Sequence, residues 1–211
     1  MFISHQPFLV IISSPSGAGK STLCKMIIQN DPLIKLSISV TTRQKRPQEI
    51  EGEHYFFINK DDFLEKNNNN EFLESAEVFE NFYATPRIKV EDSLKNGSEV
   101  LFDIDWQGAR QIKEKFKKED IVSIFILPPS LLELERRLRN RAQDSEEIVK
   151  KRMKKAIDEI NHFNEYDYIL VNDDLSNTYN KIKSIIDSKR VERLSRNQIN
   201  NLVKQFENNN L

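Results

Sequence analysis

The stretch IISSPSGAGKST, residues 11–22, ends in Gly-Lys-Ser-Thr and follows an apolar run. A glycine-rich turn between a strand and a helix offers an anion its successive backbone N–H groups, and the helix adds its positive end. The usual spacing of such a phosphate loop is G-x-x-x-x-G-K-[ST]. Counted back from Gly19, Lys20 and Ser21, the first glycine position is held by Ser14. Pro15 fixes its own φ and biases Ser14 to extended geometry, which a residue leaving a strand already has. The loop is therefore read as complete, running Ser14, Pro15, Ser16, Gly17, Ala18, Gly19, Lys20, Ser21, Thr22, with its tight turn starting at Ser16-Gly17. In such a loop the lysine reaches the β- and γ-phosphates and the Ser21 hydroxyl ligates Mg²⁺.

Outward from the loop, FLVII (8–12) suits a strand buried on both faces, and a helix is expected to follow to about residue 30, stopped by Pro32. EVLFDID (99–105), IVSIFIL (121–127) and YDYILV (166–171) read as further apolar strands. Helices are expected over 87–95, closed by Asn96-Gly97, over 106–117, from Ser130 with a capping box to Glu133, and as one long helix over 175–206. Alternating strands and helices predict a three-layer α/β/α sandwich with a parallel central sheet. Residues 37–85 break the alternation. LSISV (36–40), HYFFI (54–58) and FLESAEVF (72–79) read as strands, KDDFLEKN (60–67) as a short helix and NFYATP (81–86) as a loop, which together suggest an inserted mixed α/β region.

The chain of 211 residues is long enough for one sizeable core. A net charge of -1 gives no global basic field for nucleic acid or an acidic membrane surface. The longest apolar run has five residues, against about 20 for a membrane span. The first seven residues carry no Lys or Arg, so no export signal is read. The single cysteine, Cys24, excludes an intrachain disulfide and reads as a buried apolar residue; a cytoplasmic location is expected.

A triphosphate-binding loop usually has an acid near its metal, at the end of a neighbouring buried strand. VLFDID supplies Asp103 and Asp105, which on one strand would face the same side. SVTTRQKRP (39–47) suggests a second anion site, with Arg43 and Arg46 within reach of one phosphate and Ser39 and Thr42 as hydroxyl donors. Tyr55, Tyr83 and Thr85 are further donors if the fold gathers them. A carboxylate facing the two donors of guanine's Watson–Crick edge would reject adenine, which presents an acceptor there. Glu74 and Asp105 are candidates for that carboxylate; spacing alone does not separate them from Glu71, Glu77 or Glu80.

SPSGAGKST, SVTTRQKRP, GEHYFF, FLESAEVFENFYAT, DIDWQGA, FILPPS, RRLRNRAQDSEE and YDYILVND follow one another in an order and spacing that resemble the guanylate kinases, over nearly the whole chain. The resemblance implies transfer of the γ-phosphoryl group of ATP to GMP, with dGMP as a further acceptor and Mg²⁺ as the accompanying ion. It implies no nucleic-acid or membrane partner. By position it gives the GMP phosphate to Ser39, Arg43, Arg46, Tyr55 and Tyr83, and the guanine to Glu74, Thr85 and Asp105. Lys20, Arg43, Arg137, Arg141 and Arg152 become the catalytic cations, Asn172 the edge of the adenine site, and Ser21 with Asp103, through water, the metal site. It also implies three parts: a core (1–36, 87–129 and 160–211), a GMP-binding region (37–86) and a helical lid (about 130–159).

The chain departs from the family pattern at Phe82, Ala84, Pro86 and Ala142. Ala84 stands where a glycine would allow positive φ, which puts the guanine pocket in question. The rival readings are a phosphate-loop kinase of another acceptor, a non-catalytic scaffold domain of the same shape, and a GTP-hydrolysing switch, whose N-K-x-D guanine motif YILVNDDL does not supply. The first predicts loss of Glu74 or Asp105; the second predicts loss of Lys20, Ser21, Arg43 or Arg46. All six are present.

Overall fold

The computed structural model describes residues 4–78, 80–141 and 146–209. A five-stranded sheet in the order β2-β7-β1-β8-β9 forms its centre. The strands are β1 (Leu9–Ser13), β2 (Ile34–Leu36), β7 (Glu99–Asp103), β8 (Ile121–Leu127) and β9 (Tyr168–Val171), and every pairing is parallel. The central strands are apolar on consecutive positions because both faces are covered. Val10 and Ile12 face one side, with Leu23, Cys24 and Ile27 of α1 (Lys20–Asn30) and Ile182 and Ile186 of α7 (Leu175–Glu192). Leu9 and Ile11 face the other, with Val90 of α3 (Arg87–Lys95) and Ala109 and Ile112 of α4 (Trp106–Lys115). From β1 the chain crosses to β2 on one side, while β8 lies on the other. The end of β1 is therefore a switch point, where open α/β sheets bind ligands.

A second, four-stranded sheet has the order β4-β3-β6-β5. Its strands are β3 (Val40–Thr41), β4 (Phe56–Phe57), β5 (Phe72–Val78) and β6 (Asn81–Pro86), with α2 (Lys60–Asn68) packed on it through Phe63. The helices α5 (Leu131–Arg141) and α6 (Glu146–Ile160) pack on each other through Leu134, Leu138, Met153 and Ala156. No helix among the described residues is long and apolar enough to cross a membrane.

Four local expectations are corrected. LSISV is not one strand: Leu36 ends β2 of the central sheet, and Val40 begins β3 of the second. NFYATP is strand β6, because an Asn-Phe-Tyr-Ala-Thr run finds β5 on one side and β3 on the other. The long C-terminal helix is two, α7 and α8 (Arg196–Asn209). The break is made by the N-terminal segment: Gln6 N–H donates to Arg193 O, Ser195 N–H donates to Ser4 O, and Ile199 then starts a new turn on Ser195 O. Finally, β7 ends at Asp103, so Asp103 and Asp105 are not strand neighbours; Asp105 is the N-cap of α4.

Candidate active site

The loop that follows β1 has the strand–loop–helix context its sequence requires. Positive φ occurs at Gly17 (94°) and Gly19 (98°) and not at Ser14, whose hydroxyl donates to Pro15 O at 3.0 Å. The turn therefore starts where glycine can supply it, and Ser14 needs no left-handed conformation. Both glycines are also closely approached. A Cβ on Gly17 would lie 3.0 Å from Leu134 Cδ1 of α5, and one on Gly19 would lie 2.4 Å from Asn172 Nδ2. Asn172 is buried and donates to Ala18 O at 2.7 Å, which ties the end of β9 to the loop. A cavity of about 270 Å³ opens here, lined by Gly17, Gly19, Thr22, Arg137, Asn172 and Asp173 among others.

Lys20 forms an ion pair with Asp103 at the end of β7, the strand beside β1. Ser21 and Thr22 are exposed in the first turn of α1. The loop's Ser16 N–H donates to Glu159 Oε2 of α6 at 3.1 Å. Burial raises the Glu159 carboxyl above the usual range, opposed by that amide and by Lys155 and Lys20. Arg137 is held by Glu133 at 2.8 Å and by Asn172 O at 3.2 Å, so it faces the cavity and not open solvent. Ser130 caps α5 through Glu133 N–H, but the Glu133 carboxylate serves Arg136 and Arg137 in place of closing the box. Arg152 lies half-buried on α6. Arg141 is the last residue of α5; its side chain, and Ala142, lie outside the described residues.

The second sheet builds an oxyanion grip. Arg43 follows β3 and donates through both terminal nitrogens to Glu49, at 2.7 and 3.0 Å. Its guanidinium lies 5.3 Å from the Tyr55 ring centre, and Tyr55 meets Tyr83 edge-on at 5.9 Å. Arg46 adds its backbone N–H to the same Glu49 carboxylate at 2.8 Å and lines a cavity of about 460 Å³ with Glu49 and His54. Arg43 holds the Glu49 carboxyl down at about 2. Ser39 takes part through its backbone, accepting from Phe56 N–H at 2.9 Å. Glu49 was missed in the sequence because it stands among other charges of an irregular loop, with no periodicity to set its direction.

Glu74, on β5, is 4% exposed and accepts from the Thr85 hydroxyl of β6 at 2.7 Å. Burial, with Asp105 nearby, pushes its carboxyl up to about 7, against the pull of Thr85 and Lys115. Asp105 caps α4 by accepting from Gln107 and Gly108 N–H at 2.9 and 3.1 Å. A Cβ on Gly108 would lie 2.5 Å from Glu74 Oε2, so both carboxylates approach the same helical glycine. Ala84 resolves the question raised by its glycine position. It is an extended residue paired with Val40 and Ser75, and the described non-glycine residues with positive φ are Asn70 and Glu80. Pro86 ends β6 and leaves Thr85 extended, where its hydroxyl meets Glu74.

A family model described as guanylate kinase matches residues 6–189. The chain is 51% identical over 193 residues to the guanylate kinase of Escherichia coli, with 90% of this chain and 92% of the relative covered. It is 49% identical over 191 residues to that of Paramagnetospirillum magneticum, covering 90% and 89%. The crystal structure of guanylate kinase from Anaplasma phagocytophilum aligns with a TM-score of 0.75 at 36% identity, over 93% of this chain and 94% of that one.

Proposed function

This chain belongs to the guanylate kinase family, and on that premise we propose that it transfers the γ-phosphoryl group of ATP to GMP, giving ADP and GDP. The observation that carries the choice of acceptor is the buried Glu74 carboxylate, hydrogen-bonded to Thr85 and set beside Asp105. Guanine offers N1–H and a 2-amino group to such acceptors. Adenine would leave a buried anion unpaired, a loss that supports discrimination by orders of magnitude.

The roles follow from the chemistry of each group. The loop of Ser14, Pro15, Ser16, Gly17, Ala18, Gly19, Lys20, Ser21 and Thr22 holds the donor's phosphates with backbone N–H groups, and Lys20 places a charge on them. Asn172 borders the donor's base. Ser39, Arg43, Arg46, Tyr55 and Tyr83 hold the acceptor's phosphate, which takes the grip that Arg43 and the Arg46 amide give Glu49. Arg137, Arg141 and Arg152 bring positive charge to the transferring group, whose loose transition state spreads negative charge over its oxygens. The division of labour is a core of 1–36, 87–129 and 160–211, an acceptor region of 37–86 and a lid of about 130–159 that excludes water on closing.

The donor set of Ser21 and Asp103, all oxygen, suits Mg²⁺, which takes one or two carboxylates, keeps several waters and completes its shell with phosphates. Bound there, the ion would neutralise phosphate charge. Asp103 also pairs Lys20 and so fixes where that ammonium stands.

ADP formation measured with GMP, AMP, dTMP and UMP in turn tests this reading. GMP is expected to be far ahead; equal rates with AMP would sink the guanine assignment. Lys20→Ala is expected to lower turnover on the order of 10²-fold or more while the chain stays folded. Near-normal turnover in that variant, with circular dichroism unchanged, would refute the role given to the loop.

A further inference from the structure

Three side chains of α6 share one face. Arg152, Lys155 and Glu159 stand at i, i+3 and i+7, within about 60° of arc at 3.6 residues per turn. The neighbouring stripe, Met153 and Ala156, packs on Leu134 and Leu138 of α5, and both leucines close over Gly17 of the phosphate loop. The charged face meets the same loop at Ser16. The Glu159 carboxylate, its side chain 12% exposed, accepts from Ser16 N–H at 3.1 Å through Oε2, and its Oε1 lies 3.9 Å from Lys155 Nζ.

This contact joins an element proposed to move to the one that must stay in place. Ser16 is the loop residue just before the left-handed turn at Gly17. Glu159 lies one residue from the end of α6, where the helix rejoins the core. Arg152 stands two turns back along the same face. A hydrogen bond at the base of the helix therefore stands where, beside the apolar contacts with α5, it can fix how the Arg152-bearing face meets the loop. Because Ser16 is exposed, its N–H can be solvated once the carboxylate is gone, so the bond has little to do with keeping the chain folded.

We propose that Glu159 is a positioning residue for phosphoryl transfer: its hold on Ser16 N–H registers the Arg152-bearing face of α6 on the phosphate loop. This rests on the kinase reading given above. What the bond requires is an acceptor oxygen at the reach of a glutamate side chain, and charge is secondary.

The test uses the full chain and the ATP-to-GMP assay, with kcat, both KM values and thermal melting measured for Glu159→Ala, Glu159→Gln, Glu159→Asp, Arg152→Ala and the double variant Glu159→Ala/Arg152→Ala. Glu159→Ala is expected to lower kcat about tenfold or more, with both KM values within about threefold. Glu159→Gln, whose amide oxygen still accepts, is expected to recover most of kcat. Glu159→Asp keeps the charge but is one methylene short, so it is expected to behave like alanine. Adding Glu159→Ala to Arg152→Ala is expected to cost little more, since the two act through one geometry. An unchanged kcat in Glu159→Ala, a normal Glu159→Asp, a Glu159→Gln no better than alanine, or losses that multiply would each overturn the inference. If Glu159→Ala melts below the assay temperature, the contrast between glutamine and aspartate decides alone. A wild-type chain inactive toward GMP removes both the kinase reading and this inference; an active wild type with an unaffected Glu159→Ala removes the inference alone.

Discussion

Glu74 is a carboxyl group that folding takes almost entirely out of water. Its pKa rises to about 7 because burial disfavours the anion and Asp105 adds like charge. The sign of the consequence is fixed. The folded chain binds this proton more tightly than the unfolded one, so the group's stabilising effect is complete at low pH. It is lost as pH rises from the ordinary carboxyl range through about 7, to a total of about 3 kcal/mol at most. Glu74→Gln is therefore expected to melt higher than wild type at pH 8 and about equally at pH 4, in the absence of nucleotide. With the guanine role proposed for Glu74, recognition runs the other way, because guanine's donors need the anion. The KM for GMP is expected to rise as pH falls below about 7, approaching tenfold per unit, and Glu74→Gln should abolish that slope. A flat KM between pH 5.5 and 8 in wild type would refute it. Cys24, one turn into α1, has its thiol pushed up to about 11 by burial, so it should resist alkylation at pH 8 until the chain unfolds.

α4 does two things at its first turn. Asp105 satisfies the free amides of Gln107 and Gly108, and Gly108 leaves room for Glu74. A glycine inside a helix costs up to about 1 kcal/mol relative to alanine, so a structural argument alone would favour alanine there. The 2.5 Å approach to Glu74 Oε2 reverses that preference. Gly108→Ala is expected to displace the Glu74 carboxylate and raise the KM for GMP tenfold or more, on the order of the 1–3 kcal/mol of a lost buried hydrogen bond. The KM for ATP should stay within about twofold, because the phosphate loop lies on another element. Steady-state kinetics with each substrate varied in turn separates the two.

At the scale of the whole molecule, one buried acid ties distant segments together. Glu99 begins β7 and is fully buried; it accepts from Arg190 of α7 at 2.5 and 2.7 Å and lies 2.7 Å from His5 Nε2 of the N-terminal segment. Arg190 also reaches Asp31, just past α1, at 2.8 Å. Removing Glu99 leaves the Arg190 guanidinium without its buried acceptor. Glu99→Ala is expected to destabilise the chain by about 3 kcal/mol or more, lowering Tm by roughly 6–12 °C. Because Glu99 stands at the end of β7 remote from Asp103, kcat at low temperature should be unchanged. Thermal melting beside kinetics at 15 °C checks both halves.

The parallel sheet, its two covered faces and the glycine turn between β1 and α1 were legible in the sequence, because consecutive apolar residues and Gly-Lys-Ser spacing are local signals. So was the loop's tolerance of Ser14, since proline acts on its direct neighbour. What a local signal cannot carry is which segment lies beside which. Asn-Phe-Tyr-Ala-Thr at 81–85 became a strand only because β5 and β3 flank it, and the helix at 175–206 was broken only by residues 4–6 pairing with 193–195. Glu74 was one of several acids until the fold buried it against Thr85 and left its neighbours Glu71 and Glu77 exposed. Glu49 and Glu159 gave no sequence signal at all, for their partners Arg43 and Ser16 are reached through space, by a loop and by helix α6. The sequence by itself determined where glycines turn the chain from strand to helix; the tertiary structure decided which carboxylates lose their water, and burial is a property of neighbours that no residue carries alone.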